Sequence, residues 1–304
     1  MTVCIAAACE QGNRVVIATD RRISYAGVSS DSVAAKMIWF GTAGEWLGLF
    51  AGEPANTALI FEEIEQGAQK TPITRKNVQR AVLSAYQKRR AIFSSFAALS
   101  PYDLSLEEFK AAGLSRFGES EFRRISQEIS KTSEYFREQM LVVGWGAAKG
   151  AVMLYEISPE SDRDHCLTGM TAIGTGQEVA LSTMMLLGHS RDRTLAETIY
   201  VVACAKFASE KSQGEDVGTK TAMFVTWKRE TDDDKEKPPG KFLSGEHVVR
   251  LHKLWLKYGK PHVSEKIYRP TTEIIQSMGL RTKVSNKMFD HFLRSAPRRA
   301  KRAQ

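Results

Sequence analysis

The chain has 304 residues, 42% of them hydrophobic, which suits one large domain with appendages and a sizeable core. Its formal net charge of +8 is lopsided: residues 231–304 hold 17 Lys or Arg against 8 Asp or Glu, so the rest of the chain is near neutral and the basic balance says nothing about a catalytic core. No apolar run reaches the ~18 residues of a membrane span, and the opening Met-Thr-Val-Cys-Ile lacks the basic-then-apolar order of a signal peptide.

Residues 2–8 and 14–19 are short apolar runs with Gly12-Asn13 between them, the pattern of a hairpin. Apolar side chains occur on both faces, so the spacing predicts an internal sheet covered on both sides. Residues 33–40 and 46–51 read as the next two strands. Pro54 then opens a helical pattern carrying Leu59, Ile60, Phe61 and Ile64, and a longer helix is expected over 74–99 with Thr74 as its N-cap. Residues 100–137, with Gly113 and Gly118, read as a broken, partly helical insertion or lid. Residues 139–145 and 150–157 form a second hairpin across Gly146–Gly150, followed by a strand near 166–173. Helices over 176–188 and 194–210 and a strand over 219–227 complete the unit. Two stacked sheets with a helical layer outside each would bury these faces.

The clearest boundary is 230–241, a charge run with Pro238-Pro239-Gly240 and no large apolar side chain. The domain reading is therefore 1–229, a linker over 230–241 and a basic, partly helical extension over 242–304, with helices expected near 243–258, 271–279 and 286–294. The Trp255 stripe reads as a docking face rather than a cofactor site. The Arg298, Arg299, Lys301, Arg302 cluster reads as a solvated terminus, and only this tail could contact nucleic acid.

Four cysteines, Cys4, Cys9, Cys166 and Cys204, form no CxxC pair and read as reduced, mostly buried thiols of a cytoplasmic protein. The six histidines make no strong zinc spacing. No metal and no organic cofactor is expected.

Thr2 is the first residue that carries chemistry. A hydroxyl is a weak nucleophile until a base activates it. Removal of Met1 would free the Thr2 α-amine, whose reference pKa of about 7.7–8.0 suits a base at neutral pH. Taken alone, a chain starting Met-Thr is unremarked, and Asp20 with Lys36 reads as a structural ion pair.

Position by position, however, the chain resembles the proteasome family and its bacterial proteasome-like relatives. Thr2 opens an apolar strand. Ile17-Ala-Thr-Asp20-Arg-Arg-Ile-Ser24 is similar to the family's strand ending in aspartate. Lys36-Met-Ile follows Asp20 at the family's spacing, and Gly48-Leu-Phe-Ala-Gly52 is similar to the strand ending at the oxyanion-hole glycine. Ala172-Ile-Gly-Thr-Gly176 resembles an Ile-Gly-Ser-Gly turn, and Asp216-Val-Gly-Thr219 resembles the segment before the last strand. The resemblance covers roughly 1–70 and 139–229. It departs from the family in a Thr2–Asp20 spacing two residues longer, expected at Gln11-Gly12, and in threonines at 175 and 219 where serines are usual. An even insertion leaves side-chain facing unchanged.

The resemblance implies an α+β fold: a four-layer αββα sandwich of two antiparallel sheets flanked by helices, with a helical insertion and a basic C-terminal extension. It implies Thr2 as nucleophile, Lys36 as the charge beside it, Asp20 as the orienting group and the Gly52 amide as oxyanion donor. Thr175, Asp216 and Thr219 would form a hydrogen-bonded shell around the new N-terminus. The implied activity is a threonine peptidase acting on peptide or unfolded protein within a homo-oligomer, with any unfoldase partner unidentified. Two alternatives stand beside it: a proteasome-like assembly subunit that does not cleave, and a small-molecule amidohydrolase.

Overall fold

The computed structural model describes residues 2–25, 28–31, 36–41, 45–74, 76–145, 152–212, 217–228 and 240–259. Contacts divide the chain into two units, Met1–His252 and Lys253–Gln304, and of the second only residues 253–259 are described. The expected helices near 271–279 and 286–294, and the terminal basic cluster, lie outside the described residues.

In the first unit, strands β1 (Cys4–Cys9) and β2 (Arg14–Asp20) form the expected hairpin. The lengthened turn is a left-handed one: Glu10, Gln11 and Gly12 have φ of 51°, 61° and 86°. A small hairpin follows, β3 (Arg22–Tyr25) with β4 (Val28–Asp31), which the periodicity did not predict. Then come β5 (Met37–Phe40) and β6 (Trp46–Ala51). Helices α1 (Pro54–Lys70), α2 (Val78–Leu99) and α3 (Leu106–Ser133) precede β7 (Gln139–Trp145), β8 (Val152–Ile157), β9 (Asp162–Asp164) and β10 (Met170–Ile173). The unit continues through α4 (Gln177–Leu186), α5 (Leu195–Ser212), β11 (Thr221–Trp227), β12 (Gly240–Phe242) and, up to His252, α6 (Gly245–Leu254).

Two five-stranded antiparallel sheets result, in the orders β10-β1-β2-β11-β12 and β5-β6-β7-β8-β9. Alternation decides what each face meets. Cys4, Ala6, Ala8, Val15 and Ile17 of the first sheet pack with Leu47, Leu49, Leu141, Val143 and Leu154 of the second, forming the core between the sheets. The other face of the second sheet, with Phe40, Trp46, Met140, Val142 and Tyr155, is covered by Ile60, Phe61 and Ile64 of α1 and Val78, Val82 and Tyr86 of α2. Helices α4 and α5 lie against the first sheet at β10, β1 and β2. Both sheets are thus enclosed on both sides, which is why their strands read as apolar on both faces.

The segment 100–137 is mostly helical and is interrupted at Gly118, one of the two glycines expected to break it. A capping box nucleates α3: Glu108 N–H donates to Ser105 Oγ at 3.1 Å and Ser105 N–H donates to Glu108 Oε2 at 2.8 Å. Helix α3 breaks regular geometry only at Gly118, where φ is 74°. It packs along α2 through a small core of its own, including Ala98, Leu99, Phe109 and Ile125. Asn77, not Thr74, is the N-cap of α2, because Thr74 uses its N–H and hydroxyl on Asn77 Oδ1 one turn earlier. The strand expected over 166–173 begins only at Met170, since a turn closed by Gly169 N–H on His165 O precedes it. The linker expected over 230–241 is shorter than the composition suggested. Gly240 and Lys241 belong to β12, which pairs with β11, and Phe242 packs on Phe224 with ring centroids 4.7 Å apart and the planes tilted by 56°.

Candidate active site

Thr2 enters β1, and the β1–β2 pairing brings the end of β2 back beside it: Asp20 N–H donates to Val3 O at 3.2 Å. Asp20 is fully buried, yet its carboxylate is satisfied on both oxygens. Oδ1 accepts the Val3 amide at 2.9 Å and Oδ2 accepts the Arg22 amide at 3.0 Å. Lys36, just before β5, extends its ammonium into the same space. It donates to Asp20 Oδ1 at 3.1 Å and Oδ2 at 3.0 Å, and also to the Thr2 hydroxyl oxygen. Thr2 and Lys36 are 7% and 6% exposed, so this junction has little access to screening water.

An ammonium has three N–H bonds and no acceptor. All three are accounted for here, two on Asp20 and one on Thr2. A buried ion pair is tolerated when such hydrogen bonds satisfy it. The arrangement leaves one cation aimed at the Thr2 oxygen, which favours negative charge there. Cys4, two residues on, offers no competing nucleophile: burial, reinforced by the Asp20 charge, holds its thiol protonated, and its S–H donates to Phe50 O at 3.3 Å.

The backbone of Thr2 is gripped by the turn after β10. Gly176 N–H donates to Thr2 O at 3.2 Å. Gly174 has φ of 90°, and a Cβ there would lie 2.3 Å from Thr2 O, so only glycine permits this approach. The same hypothetical Cβ would be 3.2 Å from the Ala51 side chain, which puts the end of β6 beside the nucleophile strand. Gly52 follows with φ of 131°, pressed against Glu138, where a Cβ would be 3.0 Å from the Glu138 Cα.

The remaining expected residues fare differently. Thr175 is exposed, in the turn between Gly174 and Gly176. Asp216 lies outside the described residues. Thr219 is exposed and follows Gly218, whose Cα faces Asp20 Oδ2 closely enough that a Cβ would sit at 3.1 Å. Fully buried Lys206 of α5 holds this loop by donating to Gly218 O at 2.8 Å, while pairing with Glu210 at 2.9 Å. Sequence reading passed over Lys206, and also Glu138 and Gln139. The signal for the last two was a polar pair at the mouth of the apolar run 140–143.

No group of three or more His, Cys, Asp or Glu among the described residues could hold a metal ion. No helix among them is long and apolar enough to cross a membrane. All four cysteines stand outside disulfides, with Cys4, Cys9 and Cys204 buried.

Two facing antiparallel sheets between helical layers, with Thr2 at the head of an inner strand, form the α+β, αββα sandwich that the sequence led us to expect. No family model and no curated protein matches the chain. Among solved structures it is similar to a Gly-1 mutant of Anbu from Hyphomicrobium sp. strain MC1, at TM-score 0.58 and 16% identity, covering 84% of this chain and 94% of that one. It is also similar to Anbu from Pseudomonas aeruginosa, solved as a helical assembly, at TM-score 0.57 and 15% identity, covering 94% and 100%. At such identities the likeness is one of fold.

Proposed function

We propose that the chain is a threonine-type peptidase that cleaves peptide bonds by acyl transfer to Thr2 once Met1 is removed. The observation that carries this reading is the Lys36 ammonium shared between the Thr2 hydroxyl oxygen and both oxygens of buried Asp20. Lys36 in its charged form cannot accept a proton, so the base is another group. The Thr2 α-amine, with a reference pKa of about 7.7–8.0, is the nearest candidate by covalent connection.

In this mechanism the amine takes the hydroxyl proton as Oγ1 attacks the peptide carbonyl carbon. Lys36 stabilises the charge on the attacking oxygen, and the Gly52 amide donates to the oxyanion. The protonated amine then gives its proton to the leaving amine. Water, deprotonated by the same amine, hydrolyses the ester and restores Thr2. Asp20 pairs with Lys36 and aims it, while Thr219 and Asp216 would order the N-terminus. The protein acts in this reading as a self-associating cytoplasmic hydrolase, and the helical assembly of the similar Anbu chain supports the self-association.

Intact-mass measurement, hydrolysis of a fluorogenic peptide panel and sedimentation velocity test the reading together. Expected are loss of Met1, turnover abolished by Thr2→Ala, and a species larger than one chain. Met1 on all active molecules would sink the mechanism. Met1 retained on protein that assembles but does not cleave would favour the assembly-subunit alternative. Hydrolysis of small amides but not peptides would favour the amidohydrolase.

A further inference from the structure

The residues around the site, Thr2, Asp20, Lys36, Gly52 and Gly174 among them, come from separate places in the chain, and something must hold their spacing. Adjacent Glu138 and Gln139, at the start of β7, touch two of them from opposite sides. Gln139 Oε1 accepts the Gly174 amide at 2.6 Å, and Gly174 is the residue whose backbone presses on Thr2 O. In the sheet, Gln139 also pairs with Ala51, the last residue of β6 before Gly52. Glu138 lies against the Cα of Gly52, and its Oε1 accepts from Asn56 Nδ2 at 2.6 Å in the first turn of α1. Tyr86 of α2 donates its hydroxyl to Glu138 O at 2.7 Å, tying this junction to the helical layer.

We infer that Gln139 is a positioning residue for the reaction at Thr2: by accepting the Gly174 amide, it holds the nucleophile's turn at a set distance from the oxyanion glycine Gly52. The inference rests on reading Thr2 as the nucleophile. Its physical basis is that Gly174 has no side chain and a left-handed backbone, so nothing in the glycine itself restrains the turn. An acceptor removed at this point leaves the Gly174 amide unsatisfied beside Thr2 O. The turn then relaxes, and the carbonyl that orients Thr2 relaxes with it. In this inference Gln139 acts on the turn and not on the substrate, so binding should survive while the attack geometry degrades.

The test compares Gln139→Leu, which keeps bulk and loses the acceptor, with Gln139→Glu, which restores an acceptor at the same reach. Gln139 lines a cavity of about 480 Å³ together with Arg90 and Arg137, so a carboxylate at 139 would have cations nearby. Against a fluorogenic peptide, Gln139→Leu should lower kcat by about 10- to 100-fold with KM nearly unchanged, the size of effect expected of a small misplacement. Hydrogen exchange at the Gly174 amide should accelerate in Gln139→Leu. Gln139→Glu should recover slow exchange and most of kcat. A peptide electrophile that labels Thr2, read by intact mass, reports the attack step separately.

Unchanged kcat in folded Gln139→Leu, or equal loss in both variants, overturns the inference. Wild-type protein that neither turns over peptide nor takes the label defeats the reading of Thr2, and this inference falls with it. Active, labelled wild type with an insensitive Gln139→Leu removes the inference alone.

Discussion

The Asp20 carboxylate holds the Lys36 ammonium at 3.0 and 3.1 Å while accepting backbone amides on the same two oxygens. The strand end at Val3, the turn at Arg22 and the side chain of Lys36 therefore converge on one buried anion. Removing either charge has two separable effects, one on turnover and one on folding.

Lys36→Ala should lower kcat by about 10²–10⁴-fold, the range for loss of an activating group. It also strands Asp20, but the Val3 and Arg22 amides still satisfy that carboxylate. Asp20→Asn leaves the Lys36 ammonium buried without its counter-charge and should cost about 3–5 kcal/mol of stability. Steady-state kinetics and urea unfolding on both variants check this. Near-normal kcat in Lys36→Ala would remove Lys36 from the mechanism.

Glu138 gives a prediction on pH. Burial raises its carboxyl above the usual glutamate value, and only one of its oxygens has a hydrogen-bond partner. A raised folded-state value means that the neutral form is the one the fold favours. The associated stability is fully present below the unfolded glutamate value and is lost as pH rises through the folded one. Glu138→Gln should therefore match wild type near pH 4 and become the more stable protein towards neutrality. Denaturant midpoints measured across that range test it, and parallel curves would contradict it.

Thiol reactivity should be sharply divided. Burial pushes the Cys9 and Cys204 thiols up to about 11, and Cys4 is held protonated by burial as well. Cys166 alone is partly exposed. At pH 8 the native protein should react quickly with a disulfide reagent at one thiol, and at all four in denaturant. Four rapid reactions in the native state would show that the inner strand of the first sheet is open.

The chain ended at residue 229 should fold less stably than the full protein. Without β12, the hydrogen-bonding edge of β11 is bare and Phe224 loses the Phe242 ring. Aromatic pairs contribute about 0.5–1.5 kcal/mol beyond burial, and an uncovered edge invites association. Thermal unfolding of the truncated and full chains measures the loss. An unchanged midpoint would mean that β12 is an ornament on the sheet.

Much of this architecture was legible in the chain itself. The hairpins β1–β2 and β7–β8, and the order of helices between them, follow from apolar runs and turn residues, because such signals act over a few neighbouring positions. Thr2, Asp20, Lys36 and Gly52 were singled out only through the family resemblance, and the fold brings Thr2, Asp20 and Lys36 into contact, with Ala51, beside Gly52, close by. What only tertiary structure decided are contacts between segments that carry weak local signals. Strand β12 is three residues after a charged, proline-containing stretch, and it becomes a strand because β11 offers an open edge. Strand β9, with the exposed sequence Asp-Arg-Asp, forms for the same reason beside β8. Gln139 is one polar residue at the head of an apolar strand until the chain returns 35 residues later and presents the Gly174 amide to it. A hydrogen bond of that kind leaves no periodicity, since its partner is chosen by the packing of two sheets and not by its neighbours in the chain.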